Sequence, residues 1–166
     1  MTATLPEHMS APIRSLDRVT HALIGWLAWG AVFLAPPVAR VALAVPFWRS
    51  GLTKWSGWFQ LSPVADYMFE SVFQLHIFGH LYSFPAPDLL AHIDAVGEIL
   101  FPVLLVVGLA TRFSALAILV MIGVIQLTQP SAWSTFHLPW AGLALSIIAM
   151  GPSPLSLDHA IARWRS

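Results

Sequence analysis

The chain contains no cysteine and few charged side chains for its length. Among its 166 residues 10% are charged, and eight basic and eight acidic residues cancel at pH 7. A soluble domain usually carries about 25% charged residues, so a soluble enzyme and a disordered chain are both disfavoured. Without cysteine, disulfides, thiolate metal sites, iron–sulfur clusters and covalent haem c are excluded. A balanced charge gives no field that attracts a polyanion, so we expect no nucleic-acid partner.

Apolar residues are what the chain has in abundance: they make up 57% of it, and the mean hydropathy is +0.73. A bilayer core is crossed by roughly 20 mostly apolar residues in a helix. Four stretches have this character: Val38–Phe59, Leu89–Leu109, Arg112–Gln129 and Ala132–Met150. Their apolarity is continuous rather than alternating, which favours helices over barrel strands. Tight turns near Ala110 and Pro130 then predict an all-α membrane protein, a four-transmembrane-helix up-down bundle.

A fifth apolar stretch, Val19–Ala35, lies before Pro36 and Pro37 and is short for a span. It is interpreted as an interfacial helix or as a fifth spanning helix. A cleaved signal peptide is a weaker reading, because Asp17 dilutes its charged start. The predicted organisation is an N-terminal tail and interfacial helix over 1–36, a membrane domain over 37–158, and a short tail over 159–166.

The placement of charge predicts the orientation in the membrane. Basic residues flank the apolar stretches at one side: Arg14, Arg18, Arg40, Arg112, Arg163 and Arg165. The segment 60–88 between the first two spans is acidic and has no lysine or arginine. By the positive-inside rule both termini are then cytoplasmic, and the segment 60–88 faces outward.

Each predicted span carries one polar side chain at a similar depth. These residues are Lys54, Glu98, Gln126 and His137. Each lies 14 residues from an anchor at the inner boundary (Arg40, Arg112 or Gly151), or about 21 Å at about 1.5 Å per residue. Intramembrane ionisable groups are costly and usually face partners or water. We therefore predict one polar layer inside the bundle, with a Lys54–Glu98 ion pair at its centre.

Two further residues extend this layer. Arg49 is a second candidate partner for Glu98, and Asp94 lies one turn before Glu98 on the same helix face. One interpretation is that these groups only lock helix packing. The alternative is a site that carries a proton or holds the polar head of a lipophilic molecule, such as a quinone.

The histidines give a weaker signal. His76 and His80 stand four residues apart in a stretch expected to be helical, a spacing that suits a metal, but no third ligand is evident. An amphipathic outer helix with interfacial histidines is the preferred interpretation. No spacing singles out a pair of haem axial ligands.

Taken in order, several short motifs resemble those of the DoxX family of small bacterial membrane proteins. They are Arg40 with Ser50–Lys54, Glu98 with Val103–Arg112, Gln126–Pro130, His137–Ala141, and Gly151–His159. The resemblance covers about Val38 to Arg163. It implies a four-helix protein of the bacterial inner membrane, and it maps an inner-surface motif onto Arg40, Arg112 and Asp158, with no assigned catalytic role.

The resemblance also suggests a function. Relatives include a subunit of thiosulfate:quinone oxidoreductase and a membrane component of mycobacterial redox-stress complexes, and others are encoded beside small metal-handling peptides. The first hypothesis is a membrane subunit of a redox system linked to the quinone pool, with no redox cofactor of its own. The alternative is a non-enzymatic anchor or assembly partner for a periplasmic or metal-handling protein. Both imply a protein partner or a homo-oligomer in the bilayer.

Overall fold

A computed structural model describes the backbone of residues 11–165 and the side chains of residues 17–165. Arg14 and the first ten residues of the predicted tail lie outside these described side chains. The chain divides into two units, residues 1–35 and residues 36–166. The helices are α1 (Ala11–Thr53), α2 (Pro63–Tyr67), α3 (Pro87–Val107), α4 (Thr111–Thr128), α5 (Leu138–Met150) and α6 (Leu157–Arg165). The strands are β1 (Trp55–Gly57), β2 (Gln60–Leu61), β3 (Gln74–Ile77) and β4 (His80–Ser83).

The chain is mostly helical, as its apolar runs predict. Within the described residues, three helices are long and apolar enough to cross a membrane: Asp17–Thr53 of α1, and the whole of α3 and α4. The bounds of α3 and α4 lie within two residues of the predicted spans Leu89–Leu109 and Arg112–Gln129. The sequence therefore locates these two helices closely, because each is a continuous apolar run bounded by breakers.

Pro36 and Pro37 do not end a helix, because α1 continues through both prolines and through Pro46. Prolines are tolerated in membrane helices when other groups satisfy the backbone that they free. In the same part of α1, Nε of Arg40 donates a hydrogen bond of 3.2 Å to the carbonyl oxygen of Pro36, one turn earlier. Residues 19–35 are thus part of α1.

The predicted end of the first span at Phe59 is also wrong. The helix ends at Thr53, and β1 and β2 form a short antiparallel hairpin in its place. Ser62 satisfies the end of the helix: its N–H donates to the carbonyl oxygen of Lys54 (2.8 Å), and its hydroxyl donates to that of Thr53 (3.2 Å). Since the last carbonyls of a helix have no intrahelical partner, this return of the chain allows the helix to stop there.

The segment 60–88 does not form the predicted amphipathic helix. After α2, a π-helical turn covers Met68–Val72, and β3 pairs with β4 in an antiparallel hairpin. The turn between these strands contains Phe78 and Gly79, both with positive φ. This left-handed backbone conformation interrupts a helix and is common in hairpin turns, and glycine adopts it without steric cost.

The second unit has one main core, to which four helices contribute. Its buried members are Leu43 and Phe47 of α1, Leu105 of α3, Ala115, Ile118 and Ile122 of α4, and Ala144 and Ile147 of α5. The predicted fourth span Ala132–Met150 is a 3-10 turn (Pro130–Ala132), a π-helical turn (Trp133–His137) and then the 13 residues of α5. This packing brings the polar residues of different helices to one interior.

Candidate functional site

Lys54 lies between two carboxylates of α3. Its Nζ is 2.7 Å from Oε2 of Glu98, and it also forms an ion pair and hydrogen bond with Asp94. Glu98 is buried, with 3% of its surface exposed, while Lys54 and Asp94 are partly buried. Asp94 and Glu98 are one helical turn apart, so both carboxylates reach the same ammonium.

The local fold places Lys54 by bringing α1 close to α3. A Cβ atom on Gly51 would lie 2.9 Å from Cδ1 of Ile99 and 3.0 Å from Cβ of Glu98. Glycine therefore permits this approach of the two helices. Because Lys54 follows the last turn of α1, its side chain extends past the helix end to reach α3.

The ion pair lies at the edge of a cavity of about 350 Å³. The polar lining includes Ser50, Lys54, Asp94, Glu98, Thr128 and Gln129. The apolar lining includes Phe69, Phe73, Phe84, Phe101 and Met121. The Nζ of Lys54 is 5.7 Å from the ring centroid of Phe69, within the range of a cation–π contact. A pocket with a largely apolar lining and a few convergent polar groups is typical of a small-molecule site.

The charges of this cluster do not balance. One ammonium faces two carboxylates, so the cluster carries one negative charge when Asp94 and Glu98 are both ionised. In a medium of low polarity an uncompensated charge is costly. A proton on one carboxylate, or a hydrogen-bond donor from a ligand, would relieve this cost.

Arg49 is not a partner of Glu98, contrary to the alternative that the sequence left open. Arg49 is exposed, and among the described residues the cation within 4 Å of Glu98 is Lys54. The reason is helical geometry: at about 100° per residue, Arg49 points well away from Ser50, which lines the cavity.

Gln126 and His137 form a second polar pair. Nδ1 of His137 lies 2.6 Å from Oε1 of Gln126, and Nε2 of Gln126 donates to the carbonyl oxygen of Pro130 at 3.3 Å. His137 is buried. The predicted layer is thus two clusters, Lys54 with Asp94 and Glu98, and Gln126 with His137.

His76 and His80 lie on paired strands of the β3–β4 hairpin rather than on one face of a helix. Nδ1 of His76 contacts the carbonyl oxygens of Gln74 (3.1 Å) and Leu127 (3.0 Å). Across the described part of the chain, no group of three or more His, Asp or Glu side chains is placed to hold a metal ion. The helical spacing that suggested a metal pair was wrong because Phe78 and Gly79 make a turn between the two histidines.

Arg40, Arg112 and Asp158, the three residues of the family motif, gather near the turn between α3 and α4. Asp158 accepts hydrogen bonds of 2.8 Å from the N–H of Ala110 and from the N–H and hydroxyl of Thr111. Asp158 therefore caps the first turn of α4 from a distant part of the sequence. Its negative charge also interacts favourably with the positive end of the helix dipole. Arg40 is buried and hydrogen-bonds the hydroxyl of Ser153.

Two glycines with positive φ pack directly against arginine side chains of this cluster. Gly108 (φ +74°) lies beside Arg40 and Ser156, and Gly151 (φ +71°) lies against the guanidinium of Arg112. A Cβ on Gly151 would be 2.8 Å from an Nη atom of Arg112. These contacts join the α3–α4 turn to the segment after α5.

The cap on α4 predicts a loss of stability in acid. Partial burial acts to raise the pKa of Asp158, but the hydrogen bonds from Thr111 and Ala110 and the charge of Arg40 outweigh it, so the pKa lies below 3.8. The carboxylate therefore stabilises the fold fully above about pH 4 and loses this contribution as the pH falls through its lowered pKa.

We expect Asp158→Asn to destabilise the protein by about 1 to 2 kcal/mol at pH 7, as for other helix caps. Denaturation in detergent, followed by circular dichroism at pH 7 and at pH 3, measures this. The difference between wild type and variant should shrink at pH 3. An equal difference at both pH values would contradict the cap.

Sequence reasoning missed several residues of these sites. The aromatic lining Phe69, Phe73 and Phe84 comes from the segment 60–88. The four-residue spacing of Phe69 and Phe73 was the one local signal, and none pointed to Phe84. Ser153 and Ser156 were part of a recognised motif but had no assigned contact. Their roles depend on the return of the chain after α5, which no local pattern announces.

Comparisons with known proteins identify the family. The family model for DoxX matches residues 35–130. An "Uncharacterized protein" of Haemophilus influenzae is 31% identical over 141 residues, covering 76% of this chain and 82% of that protein. No solved structure matches. These matches confirm the resemblance carried by the motifs from Arg40 onward: the chain belongs to the DoxX family.

Proposed function

We propose that this DoxX-family protein is a membrane subunit of a redox system linked to the quinone pool, and that its 350 Å³ cavity binds a quinone headgroup. The observation that carries the proposal is one ammonium between two carboxylates at the edge of an aromatic cavity. Lys54 donates hydrogen bonds to the carbonyl oxygens of the ring. Asp94 and Glu98 accept hydrogen bonds from its reduced, hydroxyl form.

The residues present fit such a molecule on chemical grounds. The rings of Phe69, Phe73 and Phe84 supply an apolar wall for the head, and cavities of about 300 Å³ or more accept small ligands. A bound quinone would supply two-electron chemistry, and the chain's own groups hold or release protons beside it. Because the sequence has no cysteine for an iron–sulfur cluster, we place the electron source in a partner protein.

In this proposal the membrane domain keeps the orientation that the charges predict. The π-helical turn Trp133–His137 and α5 cross the bilayer together as the fourth span, completing an up-down bundle in the bacterial inner membrane. Both termini are cytoplasmic, and the β3–β4 hairpin faces outward. The cavity then opens in the outer half of the bilayer, where a lipophilic ligand can enter from the lipid.

Photolabelling tests the proposal. Purified protein in nanodiscs is labelled with an azidoquinone, and the labelled peptides are mapped by mass spectrometry with decylubiquinone as competitor. We expect competed labelling on α3 and on the segment that carries Phe69 and Phe84. Glu98→Gln should weaken competition about 10-fold or more, the loss of a hydrogen bond to a charged group. Arg49→Gln is the control and should compete like wild type.

Labelling that spreads over the chain and is not competed would contradict quinone binding.

A second function, docking of a partner protein on the outward segment, is favoured by the exposed aromatic tips of the two hairpins. Trp58 is 96% exposed and Phe78 is 99% exposed. If Glu98→Gln changed only the amount of folded protein, this anchor function would be preferred.

A further inference from the structure

Glu98 lies between two cavities. Besides the larger cavity that holds Lys54, a smaller one of about 220 Å³ is lined by Pro46 and Phe47 of α1 and by His137 and Trp140. Four residues line both cavities: Ser50, Glu98, Ile125 and Gln129. Glu98 is therefore common to the lining of the candidate ligand site and to that of a second cavity, which a buried histidine also lines.

The hydrogen bonds of Gln126 define the tautomer of His137. Nε2 of Gln126 donates to the carbonyl oxygen of Pro130, which fixes the amide so that Oε1 faces His137. An amide oxygen only accepts, so Nδ1 of His137 must carry the proton of this 2.6 Å hydrogen bond. In the neutral ring Nε2 is then an acceptor with a free lone pair, ready to take a proton.

The smaller cavity has the properties that buried water requires. Its volume exceeds the roughly 30 Å³ that one water occupies in the liquid, and a buried water needs two to four polar partners. Ser50, Glu98, Gln129 and His137 provide them. Within the described residues no direct hydrogen bond joins Glu98 to His137, so a proton that moves between them needs water as the carrier.

We propose that Glu98 and His137 exchange a proton through water in the smaller cavity, with Gln126 as the positioning residue. The O–H bond of a protonated Glu98 breaks, a water passes the proton on, and an N–H bond forms at Nε2 of His137. A carboxylate and an imidazolium remain, and no electrons are transferred. This inference rests on the proposed function, because the ligand cavity is where Glu98 takes up its proton.

Lys54 and Asp94 face Glu98 from the larger cavity, and the only titratable side chains that line the smaller one, among described residues, are Glu98 and His137. Proton transfer toward His137 moves positive charge away from Lys54. It also leaves the ion pair of Lys54 and Glu98 intact at the end of the step.

Solid-state NMR of the full chain in bilayers, labelled with ¹⁵N-histidine, tests this inference without any quinone. His137→Phe identifies the His137 resonances. We expect a protonated Nδ1 and an unprotonated Nε2 in wild type. Gln126→Leu should shift the ring toward the opposite tautomer, and Gln126→Glu, which keeps an acceptor oxygen, should restore the original one.

Coupling is tested in the same spectra. Glu98→Gln should displace the Nε2 resonance of His137, whereas Asp88→Asn, at an exposed carboxylate beside His92, should not. A protonated Nε2 in wild type, or a His137 signal insensitive to Glu98→Gln, would overturn the inference. If quinone labelling fails while His137 still responds to Glu98, the proposed function fails but the proton connection stands. If labelling is competed but the His137 signal does not respond to Glu98→Gln, the proposed function stands and the proton connection fails.

Discussion

Replacing Lys54 by methionine is expected to lower the free energy of unfolding by about 3 to 5 kcal/mol, the cost of removing one partner from a buried ion pair. Lys54 is the only lysine of the chain, and it neutralises part of the charge of Asp94 and Glu98. Without Lys54, two carboxylates one helical turn apart on α3 have no cation between them at the edge of an aromatic cavity. Unfolding in mixed detergent micelles, followed by circular dichroism, measures the loss, and quinone photolabelling should disappear.

Arg49→Met is the matched control, because it removes a positive charge five residues earlier in the chain, from an exposed position on α1. Substitutions at such positions usually change stability by no more than about 0.5 kcal/mol. Adding Glu98→Gln to the Lys54→Met variant should recover part of the lost stability, because it removes one uncompensated negative charge. Equal stability of the Lys54→Met and Arg49→Met variants would show that the ion pair does not hold α1 to α3.

Replacing Gly108 by alanine is expected to destabilise the turn between α3 and α4 by about 2 to 5 kcal/mol. The left-handed backbone conformation costs an L-residue about 1 to 2 kcal/mol, and overpacking adds about 1 to 3 kcal/mol. The new Cβ would lie 2.6 Å from Cβ and 2.9 Å from Cα of Ser156, and it would also meet the Arg40 guanidinium. The backbone of Ser156 cannot yield without breaking the hydrogen bond from Asp158 N–H to the Gly108 carbonyl oxygen.

Gly123→Ala distinguishes this effect from a general intolerance of side chains. Gly123 lies inside α4, and nothing is within 4 Å of a Cβ at that position. Alanine is favoured over glycine in a helix interior by up to about 1 kcal/mol. The same unfolding assay should therefore show this variant at or above wild-type stability. A Gly108→Ala protein as stable as Gly123→Ala would refute the close packing at the turn.

The predicted depths of the polar residues explain why part of the site was visible in the sequence. An ionised group in lipid must find a partner, and the helix rise fixes how far along a span each group lies. Lys54 and Glu98 were matched in this way, and the structure joins them. The depth says nothing about the direction in which a side chain points, so Arg49 remained an alternative until the structure placed it at the surface.

The sequence alone determined the class of protein, its membership of a membrane family, and the bounds of α3 and α4. These properties follow from continuous apolarity and from local breakers, which act within a few residues. The tertiary structure decided that α1 continues through Pro36 and Pro37, that the histidine segment folds back as a hairpin, and that Glu98 serves two cavities. The course of the chain at Pro36 and at Phe78 is a local conformational choice that the residue types left open. The two cavities depend on groups far apart in the chain, whose contacts form only when the helices pack together.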